Sequence, residues 1–348
     1  MAHGSGGGAT HRLIRELFLR HLGNPILQQL NDAGVIDIEW NGLRGDAAAG
    51  AGEPGGLGGA RLAITTDSFV VKPLFFRGGD IGRLAVCGTV NDLAVCGARP
   101  LYLTLGMIIE EGLSFELLER VVLSIQKTCQ EACVQVVTGD TKVVEKGQAD
   151  GLYINTTGVG FVPPGVRLGG EKARPGDAVI VSGTLGDHGM AVMSERAGIA
   201  WETSIESDCA PLNGLIQSVL AVAPEVHCFR DPTRGGLATT LNEIAAQSRV
   251  GIRIEESALP ISDAVRGACE MLGFDPLYVA NEGKVVAIVP AAQADDVLTA
   301  MRQHPYGRMA VRIGEVVNEH PGMVTLRTMI GGERILDMPE GEMLPRIC

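Results

Sequence analysis

The stretch Ala178-Val179-Ile180-Val181-Ser182-Gly183-Thr184-Leu185-Gly186-Asp187-His188-Gly189 reads as a strand, spaced glycines and the opening of a helix that ends near Gly198. Apolar strand, glycine turn, then helix is the repeating unit of α/β architecture. Glycines so placed either cradle a phosphate at the helix start or let the backbone pack closely, and the pattern alone leaves both open. The GxGxxG spacing of a dinucleotide site is absent. Composition points the same way: 47 glycines and only 4% aromatic residues suit many tight strand-to-helix turns rather than a β-sandwich. At 348 residues the chain exceeds the size of one growing core, so two domains are expected.

Hydrophobic residues make up 45% and charged residues 20%, as in a compact soluble protein. A net charge of −12 without a Lys/Arg run argues against nucleic acid as a partner. No apolar run reaches membrane-spanning length, and the first residues lack the basic and apolar regions of a signal peptide. The eight cysteines form no CxxC; Cys129 and Cys133 share a helix face without a second pair to complete a zinc site. They read as core thiols in a reducing cytoplasm.

Upstream, the HGSGG segment from His3 to Gly7 either wraps phosphates through backbone N–H groups or has no fixed shape. A helix is expected from Thr10 to Leu22, presenting Leu13, Leu17 and His21 with Ile14 and Phe18 beside them, and Asn24-Pro25 ends it. Gly45 to Gly59 reads as a flexible surface insertion. The strand Ala60–Asp67 delivers Asp67 at its carboxyl end. Asp80 then caps a helix through Cys96, in which Asn91-Asp92 interrupts an apolar run. A buried carboxylate there requires a cation, a metal or a donor, and the alternative is a solvent-facing Asp92.

A strand from Leu101 to Ile109 and a helix from Ser114 to Ala132 follow, the helix turning Leu117, Leu118, Val121, Val122 and Ile125 inward. The strand Val134–Thr138 ends in Gly139-Asp140-Thr141-Lys142. An acid and a lysine leaving a strand end together suit a metal-bound polyphosphate, the alternative being a salt-bridged turn. With Asp67 and Asp92 they make a Mg²⁺–nucleotide constellation, although no Walker A sequence occurs.

A boundary is expected near Val162-Pro163-Pro164-Gly165, after a strand from Leu152 to Val159. In the second half Arg230-Asp231-Pro232-Thr233-Arg234-Gly235-Gly236 leads into a helix from Leu237 to Gln247, with Asp231 and Thr233 as caps or the helix start as an anion site. Asn281-Glu282-Gly283-Lys284 precedes the strand Val285–Val289, and Glu282 is a candidate general base or a solvated turn residue. The chain closes on Pro345-Arg346-Ile347-Cys348 after a run of Pro, Gly and acids with no helix or strand period. Cys348 is therefore expected on a mobile arm, either as a working thiol or as a frayed end.

HGSGG, TDSFVVKPLFF at Thr66, NDLA at Asn91, GDTK at Gly139, SGTLGDHG at Ser182, RDPTRGG at Arg230, NEGK at Asn281 and the terminal PRIC occur in one order. Together they resemble, nearly end to end, the HypE family of hydrogenase maturation proteins. That family belongs to the superfamily of aminoimidazole ribonucleotide synthetase and selenophosphate synthetase. The chain departs from the family at the Gly45–Gly59 insertion, and it carries no cysteine before Cys87, against a selenophosphate synthetase.

The resemblance implies an N-terminal ATP-binding half (1–163) whose sheet forms a barrel across a homodimer, a C-terminal α/β half (164–336) and a mobile tail (337–348). It implies ATP with Mg²⁺ in the cleft, Asp67, Asp92 and Asp140 as metal ligands, and Asn91, Gly139, Thr141 and Asp231 beside them at the nucleotide. It further implies that HypF carbamoylates Cys348, that ATP-dependent dehydration yields a thiocyanate, and that the cyano group passes to iron on HypC–HypD for a [NiFe]-hydrogenase; the chemistry of that dehydration suggests Lys142 for the phosphoryl or amide-oxygen charge and Glu282 as the base. The alternatives are a synthetase or kinase for a free small molecule, which would not need Cys348, and a nucleotide-gated carrier without catalysis.

Overall fold

A computed structural model of the chain describes residues 8–37, 61–198, 205–339, 341, 344, 347 and 348. HGSGG, the stretch 45–59, Pro345 and Arg346 lie outside the described residues. The expected first helix runs as α1 (Gly8–Leu13) and α2 (Leu19–Leu22) joined by a π-turn at Ile14–Phe18. It is only loosely packed, with Leu17, Phe18 and Leu22 exposed.

Strands β1 (Gly34–Asp37) and β2 (Arg61–Phe69) pair antiparallel, and a small ribbon of β3 (Phe75–Phe76) and β4 (Gly79–Asp80) leads into helix α3 (Ile81–Val95). Strand β5 (Arg99–Glu110), helix α4 (Phe115–Ala132), β6 (Gln135–Val144) and β7 (Leu152–Val162) complete the first half, whose sheet order is β1-β2-β7-β5-β6. Only β5 and β6 pair in parallel, because α4 carries the chain back between them.

The second half comprises β8 (Ala178–Val181), α5 (Asp187–Ala197), α6 (Asn213–Val222), β9 (Cys228–Arg230), α7 (Gly236–Ser248), β10 (Gly251–Glu255) and α8 (Asp263–Leu272). It continues through β11 (Val286–Val289), α9 (Ala294–Gln303), β12 (Val311–Val317), β13 (Val324–Arg327) and β14 (Glu333–Ile335). The mixed sheet runs β14-β13-β10-β12-β8-β11-β9. Every residue of β8 and β11 is buried, as expected of strands with helices on both faces: α7 on one side, α6 and α9 on the other.

Helix α3 joins the halves. Its sequence is apolar all round, and such a helix has to be buried on every side. Asp80 Oδ1 caps it by accepting from Gly82 N at 2.7 Å and Arg83 N at 3.1 Å, a contribution of about 1 kcal/mol. One face packs with β2, β7 and α4, while Ala94 and Val95 sit in the core under α6. Ser114 caps α4 through Leu117 N at 3.2 Å.

Three expectations change here. The GDTK segment lies in the middle of β6 rather than beyond a strand end, since pairing with β5 continues from Leu105 opposite Gly139 to Glu110 opposite Val144. Val122 faces solvent with Phe115 and Leu123, because α4 covers the sheet only along the Val121–Ile125–Cys129 stripe. Asn91, a nucleotide contact by resemblance, is consumed in joining the halves. Its Oδ1 accepts from Leu212 N at 2.7 Å, and its Nδ2 donates to Ala210 O at 3.1 Å and Glu282 O at 3.4 Å. Asn91→Leu keeps the volume but orphans the buried Leu212 N–H. The urea midpoint should fall by the equivalent of about 1–3 kcal/mol at an unchanged slope.

Candidate functional site

Asp67 projects from β2 toward α3, where Gly88 allows close approach: a Cβ at Gly88 would lie 2.9 Å from the Phe69 ring and 3.4 Å from Asp67 Oδ2. Asp92, one helical turn beyond Gly88, therefore opens onto the same space. Thr65 Oγ1 donates to Asp92 Oδ2 at 2.8 Å. From the second half the 231–236 loop adds Asp231 and Arg234, and the 281–284 loop adds Glu282. These groups, with Asp32 and Cys348, line a cavity of about 200 Å³ between the halves. Past Asp32, Asp231 and Arg234 it meets a wider pocket of about 540 Å³ bounded by α1 and α7. Together they offer room of the order a nucleotide needs.

Asn281, fully buried, sets the position of Glu282. Its Oδ1 accepts from Gly186 N at 2.8 Å, and its Nδ2 donates to Pro232 O at 3.0 Å and Val279 O at 3.1 Å, tying three glycine-bearing loops together. Much of the glycine signal is thus accounted for by packing. A Cβ on Gly236 would stand 2.6 Å from Leu277 O, and one on Gly183 2.9 Å from the Lys284 stem. Neither Asp231 nor Thr233 caps α7 with its side chain; Thr233 uses its carbonyl, which accepts from Gly236 N at 2.9 Å.

The tip of the chain sits inside the cavity. Arg234 Nη2 donates to Cys348 Sγ at 2.9 Å, Val70 N donates to Cys348 O at 3.2 Å, and His188 Nε2 bonds Ile347 O at 2.6 Å. Leu344 and Ile347 are buried in the core shared by both halves. The expected mobile arm is therefore held at its end, because two apolar side chains and three polar contacts offset the ordering entropy. Nearer its root, Leu336 O accepts from Asn242 Nδ2 at 2.7 Å and Asp337 O from Tyr278 OH at 2.9 Å.

Burial dominates the electrostatics. It raises Asp67 to about 6 against the pull of Arg234, and raises Asp231 to about 8 with help from Asp32. Burial, then the charges of Asp67 and Asp231, push Asp92 well above the carboxylate range. Burial likewise pushes Glu282 well up, and its Oε1 is buried without a hydrogen-bond partner among the described residues. The Cys348 thiol is lifted by burial to about 11 although Arg234 opposes this.

Among the described residues no three His, Cys, Asp or Glu side chains come close enough to cage a metal by themselves. An oxygen-only set with one or two carboxylates within reach fits Mg²⁺ that keeps water and shares its ligands with phosphates. Asp140 and Lys142 do not join the acids: they form an exposed pair at 2.8 Å on β6, and the Lys142 hydrogen bond holds the Asp140 carboxyl low. They line an adjoining groove of about 320 Å³ that shares Ser68 and Phe69 with the acid cavity. Gly139 and Thr141 lie beside them in the same strand, and Thr141 N donates to Asp140 Oδ1 at 2.9 Å.

Sequence reasoning passed over Asp32 and Arg234. Asp32 receives Arg230 in an ion pair, and Arg230 also reaches Glu243, which pairs with His11 of α1 at 2.9 Å. Arg234 stood inside a quoted motif, and an arginine between two loop glycine signals could have been weighed with Asp231; Asp32 carries no such signal.

Comparison with known proteins supplies a family. The N-terminal domain model of AIR synthase related proteins matches residues 44–162, and the C-terminal domain model matches residues 174–327. The chain is 52% identical to the carbamoyl dehydratase HypE of Azotobacter vinelandii over 100% of its own length and 96% of that protein. Among solved structures, HypE in a HypE–HypF complex superposes with a TM-score of 0.84 at 46% identity, covering 94% of this chain and 99% of the other. HypE in complex with ATP gives 0.80 at 47% identity, covering 99% of this chain and 98% of the other.

The raised acids make a signed prediction. Between the ordinary 3.8 and the raised values of about 6 for Asp67 and about 8 for Asp231, the folded chain binds more protons than the unfolded one. Their contribution to stability is therefore lost as pH rises through that window. Without nucleotide or metal, the melting temperature of Asp231→Asn should fall less than that of the wild type from about pH 5 to about pH 8. Adding Mg²⁺ with ATP should raise the wild-type value most at the alkaline end.

Proposed function

The chain belongs to the HypE family of AIR synthase related proteins, and from that premise we propose that it uses ATP to dehydrate its own carbamoylated Cys348 to a thiocyanate. The observation that carries the proposal is the position of Cys348 Sγ, 2.9 Å from Arg234 and in one cavity with Glu282 and four aspartates. An enzyme acting on a free small molecule would give Cys348 no part in that cavity.

An amide oxygen is a poor leaving group. The carbamoyl oxygen takes the γ-phosphoryl of ATP, ADP departs, and loss of that oxygen as phosphate leaves the nitrile on Sγ. One N–H proton leaves as the oxygen is phosphorylated and the second as phosphate departs. Glu282 is the candidate base: burial raises its basicity, it acts when ionised, its unpartnered Oε1 is the accepting atom, and it passes the first proton on to solvent before taking the second. Arg234 holds the sulfur end and offsets negative charge beside it.

Mg²⁺ would supply neutralisation of the triphosphate, with Asp67 and Asp92 as its holders and Asp140 as a third, while Asp231 borders the nucleotide. Lys142 is the candidate for charge on the transferring phosphoryl. Asp140 and Lys142 come into play when β6 is covered: nine of its ten residues are exposed, an unpaired edge that asks for a second copy of the chain. A homodimer built across this sheet is accordingly part of the proposal.

HypF is the proposed carbamoyl donor and HypC–HypD the cyano acceptor. The setting is the cytoplasm, supported by eight cysteines without a disulfide. Among the described residues no helix is long and apolar enough to cross a membrane.

Intact-protein mass after incubation with HypF, carbamoyl phosphate and Mg-ATP should show a carbamoyl gain followed by loss of one water. Cys348→Ala should show neither. Glu282→Gln should keep the gain and slow the loss by about 10²–10⁴-fold. A gain that never loses water would leave a carrier without catalysis; no gain with active HypF would return the cleft to a free small molecule.

A further inference from the structure

At the end of the motif Ser182–Gly189, whose glycines the sequence leaves between a phosphate cradle and close packing, His188 and Gly189 meet the tail. We propose that His188, with its tautomer set by Ser207, is a positioning residue that seats the C-terminal cysteine by holding the main-chain carbonyl of Ile347.

The hydrogen-bond chain admits one direction. Ile347 O can only accept, so His188 Nε2, 2.6 Å away, carries the proton. Nδ1 must then accept, and its partner at 2.8 Å is Ser207 Oγ, which donates. Ser207 is free to donate because its oxygen already accepts from Cys209 N at 3.1 Å. The relay thus runs from the Cys209 amide through Ser207 and His188 to the tail. Burial lowers the pKa of His188, which keeps the ring neutral and so preserves the acceptor at Nδ1. The Phe76 ring stands edge-on at 5.4 Å and 88°, fixing the imidazole plane.

Two further contacts belong to the same seat. Gly189, the next residue, leaves room for the tail: a Cβ there would stand 3.2 Å from Leu344 Cδ1. On the opposite side Val70 N holds Cys348 O at 3.2 Å, immediately after the strand that carries Asp67. The peptide is therefore gripped by main-chain contacts on both sides of the last peptide unit. Those contacts leave Sγ to Arg234 and do not depend on what the sulfur carries. The seat accepts thiol, carbamoyl and cyano forms alike, and it sets how deep the sulfur goes.

The consequence for catalysis rests on the dehydratase reading, but the docking itself does not. In the full-length chain we would measure Cys348 alkylation by iodoacetamide, with exposed Cys133 as internal reference, together with single-turnover dehydration of the carbamoylated chain. His188→Leu should speed Cys348 alkylation about five- to tenfold relative to Cys133 and slow dehydration by a similar factor, the scale of one lost hydrogen bond. His188→Gln, whose amide N–H replaces the Nε2 donor, should recover most of both. Ser207→Ala, a milder change, should move both in the same direction as His188→Leu by less.

Alkylation of Cys348 unchanged in His188→Leu overturns the proposal. So does equal loss in the Leu and Gln variants, which would mark a packing role rather than a donor. If the wild type itself does not dehydrate, the alkylation ratios still decide the seat, and the failure falls on the dehydratase reading.

Discussion

Four aspartates and a glutamate share one small cavity between two sheets, and nearly everything around it answers that crowding. Asp231 and Glu282 are buried and Asp32, Asp67 and Asp92 half-buried, and the charges of Asp32, Asp67 and Asp231 raise the carboxyls around them, so full ionisation of the cleft requires positive charge. The chain provides two arginines at the rim. Arg230 ties Asp32 to Glu243 and, through His11, to the first helix; Arg234 turns inward to the sulfur. The remaining negative charge is uncompensated by the side chains around it, and the proposed Mg²⁺–nucleotide would offset it.

Keeping acids from two halves around one cavity requires the halves to be fixed. Buried amides do this rather than charges. Asn91 fastens α3 to the 210–212 backbone and to Glu282 O, while Asn281 fastens the loop of Glu282 to the loops that open α5 and α7. A neutral amide with every polar atom satisfied contributes geometry without adding to the charge already present. Glu282 is held from both sides by asparagines and is itself left with an open oxygen.

The same asparagines show where sequence reading succeeds and where it stops. The alternation of apolar strands, glycine turns and helices is local, and so are the caps at Asp80 and Ser114; these were legible. Asp67, Asp92, Asp231, Glu282 and Cys348 could be picked out as reactive side chains at strand ends, in glycine turns, within an apolar helix or in an irregular tail, and the structure brings all five to one cavity. Asn91 looked the same by that criterion, yet it serves the fold: a buried amide waiting for a ligand and one waiting for a backbone are identical in sequence. The strand-end reading of GDTK failed for a different reason. Gly and Asp lower strand propensity locally, but pairing with β5 carries the strand through them, a tertiary override of local preference. Asp32 gains its meaning only from Arg230, far along the chain, so no local pattern could reveal it.

The protonation of Cys348 argues that one cysteine works at two stations. A thiol accepts a carbamoyl group only as thiolate, and burial in the cleft raises its pKa to about 11, so at neutral pH it is held protonated there. Free in water the same thiol ionises far more readily. Under the proposed function, acceptance then falls outside the cleft and dehydration inside it, beside the acids. The contacts that dock the tip fit this division: hydrogen bonds to Ile347 O and Cys348 O, the Arg234 contact to sulfur and two apolar side chains. Tighter retention would starve the first step, and weaker retention would leave the second without a defined geometry.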